Sequence, residues 1–256
     1  MSATHTLGTI AFMNGKFNLI EDHAFIETLK SDANKHLSNK EFNIFDTHIP
    51  ESTTLDEFEY YVHNVGFYAT HFLTWLNQLN LGVELLRNFE YKKDVDYNRI
   101  DHLRFNLENY VIRFQSIGDK LLQLINSTFH LTISENCVNH NTVMTNLKVA
   151  RTDVPNKFKP IKSYLKKLYN ERNVIIHRHS HLDKELRKLE LFYLESRTDE
   201  DLRFFRTQKL KSYLDSKTEE YNEHNQKILS LVSELFDALL IQYTAQKGRL
   251  FKITKQ

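Results

Sequence analysis

The sequence predicts an all-α protein, an antiparallel four-helix bundle of long helices with a small N-terminal β-hairpin attached. Two observations carry that prediction. Only 6 Gly and 3 Pro are spread over 256 residues, which leaves few places for the turns that a sandwich or barrel of short strands requires. Apolar residues also recur at intervals of three and four over long stretches, the spacing of one helix face. With 41% hydrophobic residues, among them 18 Phe and 12 Tyr, the chain can fill a sizeable core, and disorder is excluded for most of it.

Taken in order, the first twenty residues read as the hairpin: Thr9 to Phe12, a turn at Asn14-Gly15, then Phe17 to Ile20. Asn-Gly supplies the positive φ angles of a tight turn. A short helix is expected from Glu21 to Leu37, and Pro50 closes this piece, giving an appendage over 1–50 and a helical body over 51–256. In the body, Phe58, Tyr61, Val65, Tyr68, Phe72, Trp75 and Leu79 mark one long helix. Leu103, Leu107, Tyr110, Phe114, Ile117, Leu121 and Leu124 mark a second, with no break in the period. Asn126 to Pro155, rich in Asn and Thr, reads as a connecting loop with at most one short helix near Thr142 to Val149. Pro160 stands where a helix can begin. A stripe of Ile161, Leu165 and Leu168 comes next, then a broken helical region over Leu182 to Leu194. A last long helix runs from about Asp199, with Leu210, Leu214, Tyr221, Ile228, Leu231, Leu235 and Leu239 inward. Long amphipathic helices joined in this way pack as an antiparallel bundle.

Tyr60 to Val83 lacks Asp, Glu, Lys and Arg over a length that spans a bilayer, yet it holds His63, Asn64, His71, Asn77, Gln78 and Asn80. Such groups are costly in lipid and easily satisfied between helices, so no membrane partner is expected. The single Cys137 excludes a disulfide framework. The first residues carry neither a basic segment nor the apolar run of a signal peptide, and a cytoplasmic protein is expected. Net charge is +1, but Lys148 to Lys188 holds twelve Lys or Arg against four acids. A solvated helix face is the plain explanation of that excess, and attraction to a phosphate backbone is the other.

The Ile161, Leu165, Leu168 stripe continues at Arg172 and Ile175, so an arginine falls on an apolar face. A guanidinium there is costly unless it is paired or reaches an open cleft. Glu108 and Asp119 are candidate partners for a structural pair. Asn173 and His177, four residues apart, share a neighbouring face, with Tyr169 one turn before them.

The run Glu171-Arg172-Asn173-Val174-Ile175-Ile176-His177-Arg178 resembles the motif of the HEPN superfamily, an arginine followed by a polar residue and, a few residues on, a histidine. Tyr110-Val111-Ile112-Arg113, Ser116-Ile117-Gly118-Asp119-Lys120 and Leu124-Ile125-Asn126 are similar to the corresponding helix of bacterial HEPN proteins. The resemblance covers residues 55 to 245 as architecture, with its specific signal in these two segments.

It implies a metal-independent endoribonuclease without cofactor or metal, commonly a homodimer whose motifs meet across a cleft. RNA is the implied partner, with an antitoxin or regulatory protein as a further one, and toxin or antiphage-defence roles are implied with it. Imidazole exchanges protons near neutral pH, which suits His177 to activate a 2′-hydroxyl. A planar guanidinium suits Arg172 to neutralise a pentacoordinate phosphate. Asn173 would orient substrate or histidine, and Asp119 would fix Arg172 or His177. Two rivals stay open. His177, His179 and His181 suggest a zinc site, and His177 and His181 have the spacing of two ligands on a helix, although no nearby Cys or acid completes the set. A HEPN-like fold also serves as a non-catalytic module for a nucleotide or protein partner. No Gly-rich phosphate loop or carboxylate-rich metal motif supports kinase or metal-nuclease chemistry.

Overall fold

The computed structural model describes residues 18–38, 54–89, 98–177, 184–195 and 200–254. Among these, every regular element is helical: α1 (Asn18–Glu21), α2 (Ala24–Leu37), α3 (Glu57–Arg87), α4 (Arg99–Thr128), α5 (His140–Met144), α6 (Leu147–Ala150), α7 (Val154–Leu165), α8 (Tyr169–His177), α9 (Lys184–Glu195) and α10 (Glu200–Thr254).

The long helices begin where their sequences supply caps. Asp56 accepts from the Glu59 amide at 2.7 Å while Glu59 reaches back to the Asp56 amide at 3.1 Å, a reciprocal capping box at the start of α3. Asn98 and Asp101 repeat the arrangement for α4. All seven stripe residues of α4 are buried, and so are Phe58, Tyr61, Val65, Phe72 and Leu79 of α3, with Tyr68 and Trp75 packed at the edge of the same core.

Side-chain contacts fix the directions of the helices. Tyr61 donates to the Thr128 carbonyl at 2.8 Å and Trp75 to the Arg113 carbonyl at 2.8 Å, so α3 and α4 run antiparallel. Arg87 meets Asp215 at 2.6 Å, and the rings of Phe72 and Phe236 and of Tyr61 and Tyr243 pack together, which lays α10 antiparallel to α3. Lys157 pairs with Glu234 at 3.1 Å, and Tyr164 lies 2.9 Å from His224 Nδ1, so α7 is also antiparallel to α10. The Tyr110 ring stacks on Tyr221 at 3.7 Å, and its hydroxyl donates to Asn225 at 2.9 Å, closing α4 against α10. Such an aromatic pair contributes about 1 kcal/mol beyond its buried area.

The uncharged stretch of α3 finds its polar partners inside the protein. Asn77 donates to Glu21 at 3.1 Å, Asn80 accepts from Asn225 at 3.3 Å, and Gln78 accepts from Arg113. It is α10, 55 residues long, that has one 18-residue window apolar enough to cross a membrane by length and composition, and half of that window is buried against the other helices.

Several expectations are corrected. Asn18, Leu19 and Ile20, expected in the second strand of the hairpin, lie in helix α1, because a helical turn carries Ile20 into the core at 1% exposure. The rest of the expected hairpin lies outside the described residues. The 126–155 connection holds more than one short helix, α5 and α6 together with a 3-10 turn at Glu135–Cys137. Two of its asparagines are caps: Asn139 accepts from the amides of Asn141 and Thr142, and Asn146 from that of Lys148. Helix α7 begins at Val154 with Pro155 in its first turn, and Pro160 is inside it, on the exposed face. The region around Leu182 to Leu194 is the unbroken helix α9 over its described part, with Leu186 and Leu189 buried.

One consequence is a pH dependence of stability. Burial first, with Lys167 and Lys217 adding to it, holds the His224 imidazole below its ordinary 6.5, although Glu220 and Glu223 pull the other way. The folded state therefore resists a proton that the unfolded chain accepts, so this contribution is present above pH 6.5 and is lost as pH falls through the depressed value. His71, His102, His130 and His140 are shifted in the same direction, each mainly by burial. Thermal melts should show a lower Tm at pH 5 than at pH 7. Replacing His224 with Gln should flatten part of that slope.

Candidate functional site on α8 and the adjoining cavity

Helix α7 does not pass straight into α8. Lys166–Leu168 forms a 3-10 turn between them. Three residues advancing at roughly 120° instead of 100° rotate the next helix by roughly 60° about its axis. The apolar stripe is therefore displaced by the time it reaches Arg172. Ile161, Leu165 and Leu168 are buried, whereas Arg172 is half-buried and Ile175 packs against the edge of the core. The arginine stands at the margin of the apolar face rather than within it, and among the described residues no carboxylate forms an ion pair with it.

Asn173, the next residue, is also half-buried. It lies one turn after Tyr169 and one turn before His177, the last residue of α8. The structure thus brings Arg172, Asn173 and the backbone of His177 onto one nine-residue helix packed on α4. The His177 side chain lies outside the described residues, as do His179 and His181 of the alternative zinc set. Asp119 is exposed on α4 and lines a cavity at the start of α8, and among the described residues it forms no ion pair with Arg172.

This cavity has a volume of about 620 Å³, within the range of small-molecule sites. Helix α4 contributes Gln115, Gly118, Asp119 and Leu122 to its wall, and α7 contributes Phe158, Lys162 and Leu165. Lys166, Tyr169 and Asn170 close the side toward α8, and His140 of α5 closes the other. Gln115 donates to the Leu165 carbonyl, which ties α4 to the end of α7. A Cβ on Gly118 would meet Leu165 Cδ1 at 3.3 Å, so glycine permits this close approach of the helices. His140 packs on Phe158 with ring centres 5.8 Å apart. Burial, and then the charge of Lys162, hold its imidazole below the ordinary value, so it is neutral at pH 7.

The basic segment found in the sequence surrounds this place. Lys159, Lys162, Lys166 and Lys167 are all exposed along α7 and the turn after it, while Lys157 is engaged by Glu234. Of the cavity residues, the sequence singles out Asp119 and Tyr169, and it shows Lys162 and Lys166 only as members of the basic segment. His140 has no signal, since only the fold brings α5 beside α7.

In comparison with known protein families, the sequence matches the Cthe2314-like HEPN family over residues 30–239. No curated protein and no solved structure matches the chain.

Proposed function

Since this chain belongs to the HEPN family, we propose that it is a cytoplasmic, metal-independent endoribonuclease whose reacting groups stand on α8, with α3, α4, α7–α8 and α10 as the family's four-helix bundle. The observation that supports it most is Arg172, half-buried and without an ion pair among the described residues, on the same short helix as Asn173 and His177. With no carboxylate paired to it among the described residues, its guanidinium is available to meet an incoming phosphate.

In this reading His177 takes the proton from the ribose 2′-hydroxyl as that oxygen attacks phosphorus. The P–O5′ bond breaks, leaving a 2′,3′-cyclic phosphate on one product and a 5′-hydroxyl on the other once the leaving oxygen is protonated. Arg172 neutralises the charge gathering on the phosphoryl oxygens. Asn173 orients substrate or histidine. Asp119 lines the cavity beside α8. Arg172 and His177 are five residues apart, about 140° around a regular helix. One copy therefore encloses a phosphate poorly, and a second copy of the motif across a two-fold axis supplies the remaining charge and the acid for O5′.

The test is incubation of purified protein with total RNA, defined RNA oligonucleotides and DNA in EDTA, beside His177→Ala. RNA cleavage should persist under chelation, DNA should remain intact, and the variant should be inactive. Equal cleavage by both proteins would overturn the assignment. Activity lost on chelation and restored by zinc would favour the histidine cluster as a metal site.

A further inference from the structure

The cavity has a composition that the reacting groups on α8 do not explain. Lys162 and Lys166 stand one turn apart and both are exposed, and among the described residues no carboxylate pairs with either. Nearby lysines show what pairing looks like in this chain: Lys157 holds Glu234 at 3.1 Å and Lys188 holds Glu185 at 2.6 Å. Beside Lys162 and Lys166, Tyr169 lines the cavity while 51% exposed, and Phe158 and Leu122 form an apolar floor. An exposed aromatic face over an apolar floor, with cations at the rim, is the arrangement on which single-stranded nucleic acid stacks a base and rests a phosphate. Asp119 stands in the same wall, where a carboxylate accepts hydrogen bonds from the amino or imino groups of a base edge.

We propose that the cavity between α4, α7 and the start of α8 receives one unstacked nucleotide of the RNA strand, its base against Tyr169 and its phosphate between Lys162 and Lys166, and so selects where the strand is cut. Tyr169 precedes Arg172 by three residues and Asn173 by one turn, so a strand leaving the cavity along α8 passes the reacting groups directly. The base adjoining the scissile phosphate is then chosen by Asp119, which favours edges that donate. This rests on the ribonuclease reading of α8.

The experiment uses the full chain carrying His177→Ala, with the four nucleoside 5′-monophosphates and inorganic phosphate as probes in calorimetric titrations. A monophosphate should bind once per chain, more tightly than phosphate alone. Tyr169→Ala and Lys162→Glu, both at exposed positions, should each weaken binding about tenfold or more, and Tyr169→Phe should retain it. A 2′-O-methyl RNA oligonucleotide should displace the mononucleotide. In the chain with His177 intact, Asp119→Asn should change which bases flank the cut. If the wild type cleaves RNA but no mononucleotide binds, or binding is the same in Tyr169→Ala, the pocket assignment fails and the ribonuclease reading stands. If mononucleotides bind but RNA is neither cleaved nor able to displace them, both fail, and the cavity is a site for a free nucleotide.

Discussion

Arg172→Met should lower RNA cleavage about a hundredfold or more while leaving Tm unchanged or raised. The substitution keeps an unbranched apolar stem and removes the guanidinium with its charge and its N–H donors. The loss has a chemical cause: a guanidinium placed to meet a developing dianion contributes only as the transition state forms, and a thioether offers it nothing. The gain or neutrality in stability comes from position. Arg172 is half-buried at the edge of the stripe that Leu168 and Ile175 continue, with no ion pair among the described residues to lose. Methionine there adds apolar contact and removes a charge that the fold tolerates at some cost. Circular dichroism melts beside initial cleavage rates separate the alternatives. A clear fall in Tm with cleavage retained would make Arg172 a structural residue.

Dilution should abolish activity along with assembly. If two copies of the α8 motif share one cleft, specific activity should track the fraction of dimer and approach zero when sedimentation shows only monomer. The expectation comes from the 140° or so that separates Arg172 from His177 on a regular helix, which leaves one side of a bound phosphate without charge. Specific activity that stays constant through complete dissociation would sink the shared cleft, while leaving cleavage within one chain possible.

The range of each interaction decides how much of the fold is legible in the sequence. The stripes of α3, α4 and α10 can be read because each runs through many turns against the same core. Every stripe position of α4 from Leu103 to Leu124 is buried. The short helices α5 and α6 are read as at most one because asparagines promote caps and loops alike, and Asn139 and Asn146 do the former. The position of Arg172 on the apolar face is misjudged because the 3-10 turn at Lys166–Leu168 introduces a rotation, a local event that a fixed helical period cannot contain.

The candidate site divides in the same way. Arg172, Asn173 and His177 stand out as candidates because they lie within six consecutive residues of one helix. Asp119 is a candidate in the sequence as the partner of Arg172 or His177, and it lines the cavity with Tyr169 and Asn170. That cavity draws on four helices and a turn, including His140, which is 22 positions from Lys162 in sequence. Only the packing of α5 and α7 against α4 makes them neighbours.

The central claim is that α8 carries out metal-independent attack by the RNA's own 2′-hydroxyl. The measurement that tests it most directly is the chemistry of the product ends. A defined RNA oligonucleotide is cut in EDTA, and the fragments are resolved by mass spectrometry. A 2′,3′-cyclic phosphate, or the 3′-phosphate to which it opens, paired with a 5′-hydroxyl is the predicted result, with no cut where a single 2′-deoxynucleotide replaces the nucleophile. Fragments ending in a 3′-hydroxyl and a 5′-phosphate, or cleavage that continues at the deoxy position, would contradict it.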